Sequence, residues 1–203
     1  IFCLFSWLFK SWQALRQDYR EEEIIVFSLV SLLIFVLFSK LGFVFLNFNS
    51  FLSDPKRLNF SIAVDFFPWL GFFAFLIFLY FFSKKYNWFF FDVLDKLTFV
   101  LIKIVFLIFL AGFISYPNPN SLLLLIIIIL AWSAGHHFRH YRSFSWYPSG
   151  KSGFLFFAAL GVFSLLYFLI RIFIPGLGRI ELIASLLTII FCLFTIYSRA
   201  KSE

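Results

Sequence analysis

Four ionisable residues lie in or beside long apolar stretches of this chain: Lys40, Asp65, Arg171 and Glu181. A charge isolated in the hydrocarbon of a membrane costs about 2.5 kcal/mol or more, so each of them needs other helices, a wet cavity or the interface around it. Ionised groups placed in this way are candidate functional residues. They could share one polar pocket, or each could extend to the lipid headgroups by itself.

A later loop holds three histidines, His136, His137 and His140. A helix could direct His137 and His140 at one metal ion, but no carboxylate or thiol accompanies them and the adjacent arginines would repel a cation. We therefore predict no metal site and no other cofactor. The alternative is a basic, aromatic loop, HHFRHYRSFSWY, that lies against anionic headgroups.

Residues 149–152 (SGKS) have the form of the end of a phosphate-binding loop. The complete motif needs a glycine five residues before Gly150, where this chain has Ser145. No buried strand precedes the segment. The pattern favours a Gly/Ser turn with one interfacial cation over a nucleotide site.

The composition of the chain is that of an integral membrane protein. The chain is 63% hydrophobic and 13% charged, with a mean hydropathy of +0.98, whereas a soluble domain carries roughly twice that charge. The net charge of +7 could suggest a nucleic-acid partner. In a protein with several membrane spans, such a charge more often reports basic cytoplasmic loops, and we predict no nucleic-acid partner.

Apolar runs of spanning length predict an all-α fold, a polytopic transmembrane helix bundle. We expect six complete spans and, in residues 1–9, half of a seventh, so that residues 1–203 form a single domain truncated at its N-terminus. The segment 89–96 (FFFDVLDK) is amphipathic enough to lie in the interface. The six complete spans are predicted at residues 24–48, 62–82, 97–114, 122–134 with flanking residues, 153–174 and 180–197.

The cations of the connectors predict the orientation, because basic residues concentrate on the cytoplasmic side. If the spans alternate in direction, most of these cations fall on one side. We therefore expect the N-terminus outside, the C-terminus inside and Lys40, Asp65 and Arg171 at the level of the outer leaflet. The larger set is Lys10, Arg16, Arg20, Lys84, Lys85, Lys96, Arg139, Arg142, Lys151, Arg199 and Lys201, and the smaller is Lys56, Arg57 and Arg179.

Two stretches resemble the bacterial prolipoprotein diacylglyceryl transferase family. RQDYREEEIIVFSLVSLLIFVLFSKLGFVFLNF is similar to the first cytoplasmic connector and second helix of that family, with Lys40 in place of the arginine of a G-A-R-L-G-Y type motif. FFPWLGFFAFLIFLYFFSKKYNWFFFDVLD is similar to the next piece, with Phe67, Pro68 and Trp69 in place of a His-Gly-Gly motif. The resemblance covers about residues 5–115, and the arginine of a later G-R-x-G-N-F motif is absent.

The resemblance implies a function in lipoprotein biosynthesis at the bacterial inner membrane. Members of the family move a diacylglyceryl group from phosphatidylglycerol to a cysteine thiol of a lipoprotein precursor, in a pocket open to the outer leaflet. Lys40 and Arg171 would then face the phosphate of a phospholipid, and Asp65 would belong to the same pocket. The alternative is a non-catalytic membrane subunit whose Phe-rich faces pack on other chains of a larger complex.

Overall fold

The computed structural model describes residues 2–46, 48, 68–115, 119–173 and 179–201, and over these residues the regular structure is helical throughout, without a strand. This confirms the all-α prediction. Seven α-helices and one 3₁₀ helix are described. In chain order they are α1 (Phe2–Leu15), α2 (Glu21–Leu46), α3 (Pro68–Tyr86), α4 (Phe90–Ser115), α5 (Pro119–His137), the 3₁₀ helix (Phe138–Ser143), α6 (Phe154–Phe173) and α7 (Arg179–Ala200).

Three helices among the described residues are long and apolar enough to cross a membrane. They are Glu21–Phe45, Leu122–Ser143 and Leu182–Ala200, and Phe154–Ile170 is a shorter apolar helix. These helices indicate a membrane protein, as the composition predicts. The larger number of spans and their direction stay predictions.

The amphipathic segment 89–96 and the span predicted at residues 97–114 lie largely in one helix, since α4 is continuous from Phe90 to Ser115. The placement of this segment in the interface stays a prediction. Neither glycine nor proline interrupts the sequence between residues 90 and 111, so nothing ends the helix early. Val93, Leu94 and Leu97 are fully buried, which gives this first part of α4 a packed face.

The chain forms two compact units, which are described one at a time: residues 8–90, here the α2–α3 unit, and residues 1–7 with 91–203, here the α4–α7 unit. In the α2–α3 unit the two helices run antiparallel. Trp88, just after α3, donates a hydrogen bond of 2.8 Å from Nε1 to Glu23 in the first turn of α2. Near the other end of the pair, Gly71 of α3 lies against Ser39 of α2.

The buried face of α2 carries small polar side chains. Ser28, Ser31 and Ser39 are buried, and Ser28 shares a 2.6 Å hydrogen bond between hydroxyls with Ser11 of α1. Small residues let helix backbones approach closely where lipid supplies no hydrophobic driving force. The exposed face of α2 is formed by large apolar side chains, including Leu33 and Phe45.

The helices of the α4–α7 unit alternate in direction along the chain. Asp95 near the start of α4 contacts the backbone at the start of α6, and the end of α7 reaches the same place through Arg199 and Ser152. The 3₁₀ helix that follows α5 contributes Tyr141 there. One end of this unit therefore holds the starts of α4 and α6 together with the ends of α5 and α7.

Replacement of Trp88 by phenylalanine tests the contact between the end of α3 and the start of α2. Trp88→Phe keeps an aromatic ring against Phe27 and Phe82 but removes the donor to Glu23. We expect a loss of roughly 1.5–3 kcal/mol, the usual range for a hydrogen bond to a charged group. Thermal unfolding in neutral micelles, followed by circular dichroism, measures it.

The matched control is Trp132→Phe, because Trp132 is 43% exposed. It should change the melting temperature little. Equal losses in the two variants would contradict a specific role of the Trp88 hydrogen bond.

Candidate functional site

Lys40 lies in the last part of α2, next to the seam between α2 and α3. Its side chain is half-buried, whereas Ser39 before it and Gly42 after it are buried. At 1.5 Å of rise per residue, Lys40 is about 26 Å along α2 from Glu23. The helix therefore places this cation at the end of the α2–α3 unit away from the Glu23–Trp88 hydrogen bond.

Beside Lys40, Gly71 of α3 lies unusually close to Ser39 and Phe35 of α2. A Cβ atom added to Gly71 would lie 1.9 Å from Ser39 Oγ and 2.5 Å from the carbonyl oxygen of Phe35. A Cα hydrogen of Gly71 thus points at a backbone oxygen of α2, as in helix pairs that approach through glycine. Ser39 Oγ is buried and has no hydrogen-bond partner among the described residues. The seam fixes the rotation of α2 and with it the direction of Lys40.

The other predicted site residues are less fully described. Asp65 lies outside the described residues. Arg171 is on α6 and Glu181 is on the first turn of α7, but their side chains are outside the described set. At 1.5 Å per residue, Arg171 is about 26 Å along α6 from Phe154. Convergence of Lys40, Asp65 and Arg171 on one pocket stays a prediction.

A half-buried carboxylate that was not singled out as a site residue organises the α4–α7 unit. Asp95 Oδ2 accepts hydrogen bonds from the backbone N–H of Gly153 at 2.7 Å and from the hydroxyl of Tyr141 at 3.1 Å. Its Oδ1 accepts one from the backbone N–H of Phe156 at 3.0 Å. Asp95 therefore caps the N-terminus of α6 from a distant helix, and its charge complements the helix dipole.

The environment of Asp95 acts on its ionisation in two directions. Burial raises the pKa of Asp95, and this effect exceeds the opposite effect of its hydrogen bonds from Phe156, Gly153 and Tyr141. The carboxylate is held by three donors and paired with no cation at hydrogen-bond distance among the described residues. This arrangement is typical of a structural cap, in which three of the roughly four lone-pair sites of the carboxylate are engaged within the protein.

Arg199 connects the end of α7 to the same region. Its Nε donates to the carbonyl oxygen of Ser152 at 2.9 Å, and its guanidinium lies 3.8 Å from the ring centroid of Phe91. The hydroxyl of Ser149 donates to the backbone oxygen of Arg199 at 2.6 Å. The turn over residues 149–152 is therefore engaged in contacts within the protein, as expected for a Gly/Ser turn.

The loop histidines are exposed. His136 and His137 end α5, and His140 lies in the 3₁₀ helix. Among the residues that the structure describes, no group of three or more His, Cys, Asp and Glu side chains could hold a metal ion.

The Asp95 cap left one signal in the sequence. Helix α6 has no acidic residue in its first turn, so its first N–H groups need an acceptor from elsewhere. Asp92 and Asp95 are the acidic residues of the segment 89–96, at the start of α4. Asp92 is paired with Lys96 within α4, which leaves Asp95 for the cap.

The fold and these contacts define a helical membrane protein with a polar cluster at one end of the α4–α7 unit and a half-buried lysine, Lys40, beside the contact between α2 and α3. Comparison with protein-family models, with curated proteins and with solved structures found no match to this chain.

Proposed function

We propose that this chain is a phospholipid-binding protein of the bacterial inner membrane, a divergent relative of the prolipoprotein diacylglyceryl transferases. Lys40, Arg171 and Asp65 would face the outer leaflet, where a phosphatidylglycerol-like lipid binds in a polar pocket. The wider form of the proposal adds transfer of the diacylglyceryl group to a lipoprotein precursor. The C-terminus and the basic connectors would face the cytoplasm.

The placement of Lys40 carries the proposal. A half-buried lysine near the end of an apolar helix lies within reach of lipid headgroups, and its ammonium group can hold a phosphate as a point charge. Lys40 is about 26 Å from Glu23, close to the thickness of a bilayer core. Arg171 is at the same distance along α6 from Phe154. Each residue is thus near one boundary of the membrane if its helix starts at the other.

The chemistry of the two cations suits a phosphate. A lysine holds phosphate as a point charge, whereas an arginine can offer a planar pair of donors. Partial burial strengthens such an interaction, because the effective dielectric constant is lower than in water. A lipid held in this way presents its glyceryl group to the outer surface, where a lipoprotein cysteine would reach it.

Replacement of Lys40 tests the binding. With the full chain in neutral detergent micelles, Lys40→Ala should weaken phosphatidylglycerol binding by about tenfold or more. A charge-assisted contact contributes about 1.5 kcal/mol or more. Lys40→Arg should retain most of the affinity. Bound lipid is counted by native mass spectrometry over a lipid titration.

Lys84→Ala is the matched control, because Lys84 is an exposed cation at the other end of the α2–α3 unit. It should bind phosphatidylglycerol as the unaltered chain does. Equal affinity of the Lys40→Ala and Lys84→Ala proteins would remove the main residue of the proposal.

Transfer is measured separately, with labelled phosphatidylglycerol and a peptide that carries the lipoprotein cysteine motif. Label on the peptide thiol would establish the wider form. Lipid binding without label on the peptide would leave only the binding function.

The runner-up is a non-catalytic subunit of a membrane complex. It is favoured by α7, of which only 17% of the spanning window is buried, against 28% in each of the other two candidate spans. A subunit should co-purify with other chains and lose stability when isolated. A chain that is monomeric and stable in detergent would argue against this function.

A further inference from the structure

The 3₁₀ helix after α5 has two different faces. Phe138 and Tyr141 point into the protein, whereas Arg139, His140 and Arg142 are exposed. We call these three exposed residues the basic face. The backbone departs from helical geometry at His140, and Phe138 and Tyr141 both pack against Phe154. These contacts separate the anchoring side chains from the exposed cationic ones.

The anchoring side is rigidly held. The Tyr141 ring stacks on Phe154 with 5.0 Å between centroids and an interplanar angle of 29°, and the hydroxyl of Tyr141 donates to Asp95. Phe138 packs edge-on against Phe154 at 5.9 Å. The basic face is thus presented in one orientation by a buried aromatic cluster.

An exposed aromatic residue accompanies the basic face. Trp146 is 56% exposed, and its ring stacks on Phe144 at 5.6 Å and 23°. Tryptophan with one exposed side is typical of the boundary between headgroups and acyl chains. Since the candidate span Leu122–Ser143 ends in this segment, the basic face and Trp146 lie where that helix would leave the membrane.

Among the described residues, no carboxylate forms an ion pair with the basic face, although Asp92 and Asp95 lie near enough to attract Arg142. Asp95 is engaged by its three donors, and Asp92 is paired with Lys96. The Arg142 guanidinium lies 5.9 Å from the Tyr141 ring, a contact that orients the side chain and leaves its charge in place.

We propose that the basic face is a binding site for the headgroups of anionic phospholipids in the leaflet that meets the end of α5. The site would recognise negative charge with Arg139, His140 and Arg142, while Trp146 inserts at the apolar boundary. This site lies in the α4–α7 unit and uses none of the residues proposed to bind phosphatidylglycerol around Lys40. A lipid is favoured over an RNA because the segment continues an apolar, spanning helix.

The test compares anionic and zwitterionic lipids on the full chain. Protein in neutral micelles is titrated with phosphatidylserine, phosphatidylglycerol or phosphatidylcholine, and bound lipid is counted by native mass spectrometry. The double variant Arg139→Gln/Arg142→Gln should lose affinity for phosphatidylserine by about thirtyfold, since each basic residue near an anionic surface contributes about a fivefold preference. The affinity for phosphatidylcholine should not change, and added salt should weaken only the binding of the anionic lipids.

Two further variants keep the result interpretable. Arg139→Lys/Arg142→Lys preserves the charge and should bind anionic lipids normally, which separates charge from fold. Lys84→Gln/Lys85→Gln removes two cations from the end of α3 and should leave the affinity for phosphatidylserine within twofold. Lys40→Ala should weaken the binding of phosphatidylglycerol and leave the binding of phosphatidylserine unchanged. Each of the two lipid proposals can therefore fail without affecting the test of the other.

The proposal is overturned if Arg139→Gln/Arg142→Gln binds phosphatidylserine as the unaltered chain does. It is also overturned if the Lys84→Gln/Lys85→Gln variant loses as much affinity, because the effect would then be one of net charge. Displacement of bound phosphatidylserine by a short RNA at equal charge concentration would show a general polyanion surface instead of a lipid site.

Discussion

Asp95→Ala should be among the most destabilising single substitutions in the α4–α7 unit, with a loss of about 2–4 kcal/mol. It removes the acceptor of the Gly153 and Phe156 N–H groups and of the Tyr141 hydroxyl, and each buried donor left without a partner costs about 1–3 kcal/mol. Relief of the desolvation that raises the pKa of Asp95 offsets part of this sum. The melting temperature in neutral micelles should fall by several degrees.

Asp92→Ala is the control that removes a carboxylate from the same turn of α4. Its ion pair with Lys96 is partly exposed, and such pairs contribute about 0.3–0.5 kcal/mol on a helix. Asp95→Asn should fall between the two, because the amide retains one acceptor oxygen but turns an NH₂ group toward the second donor. The two alanine variants melting together would show that Asp95 does not cap α6.

Hydrogen exchange gives a local readout of the same cap. In Asp95→Ala the amides of Gly153 and Phe156 should exchange faster, because their acceptor is lost. The amides in the middle of α2, which belong to the other unit, should be unaffected. Faster exchange throughout the chain would indicate global destabilisation instead of a lost cap.

The sequence predicts helices well where the signal is local. Three glutamates precede an apolar run in α2, and the helix begins at Glu21, as the macrodipole favours. The position of Lys40 along α2 follows from the rise per residue alone. The predicted extension of the apolar run 122–134 into its flanks is also confirmed, since α5 covers Pro119–His137.

Contacts between distant segments could not be predicted in the same way. Asp95 and Gly153 are 58 residues apart, and period and composition carry no information about which acid reaches which helix terminus. Asp92 and Asp95 appear equivalent on an amphipathic segment and are both half-buried, yet one forms an ion pair within α4 and the other caps α6. The difference arises from the rotation of α4 against α6, which packing determines.

The seam between α2 and α3 is a similar case. A glycine within an apolar helix suggests that another helix approaches it closely. The sequence does not show that Gly71 contacts Ser39 and the backbone oxygen of Phe35. The predicted pocket depends on such relations between segments, and the side chains of Arg171 and the whole of Asp65 are outside the described residues. Lys40 is therefore the one pocket residue whose setting the structure describes.

Gly71→Leu should separate α2 from α3 and cost about 3 kcal/mol or more. Overpacking of a well-packed contact costs about 1–3 kcal/mol even for small additions, and here the first added carbon would lie 2.5 Å from the backbone oxygen of Phe35. A backbone atom cannot rotate away as a side chain can, so the helices must move apart. The measurement is the melting temperature in neutral micelles, together with phosphatidylglycerol binding, which should weaken because Lys40 changes direction.

Gly71→Ala separates the steric term from helix propensity when it is compared with Gly135→Ala. Both substitutions favour a helix by about 1 kcal/mol at most, but the nearest atom to a Cβ on Gly135 is 3.6 Å away, an ordinary contact. Gly135→Ala should be neutral or stabilising, whereas Gly71→Ala should lower the melting temperature. Ser39→Ala combined with Gly71→Ala should recover only part of the loss, because the Phe35 oxygen remains. Full recovery of the melting temperature would show that the whole steric clash is with the Ser39 hydroxyl. A close approach of the two backbones would then no longer explain why this helix carries a glycine.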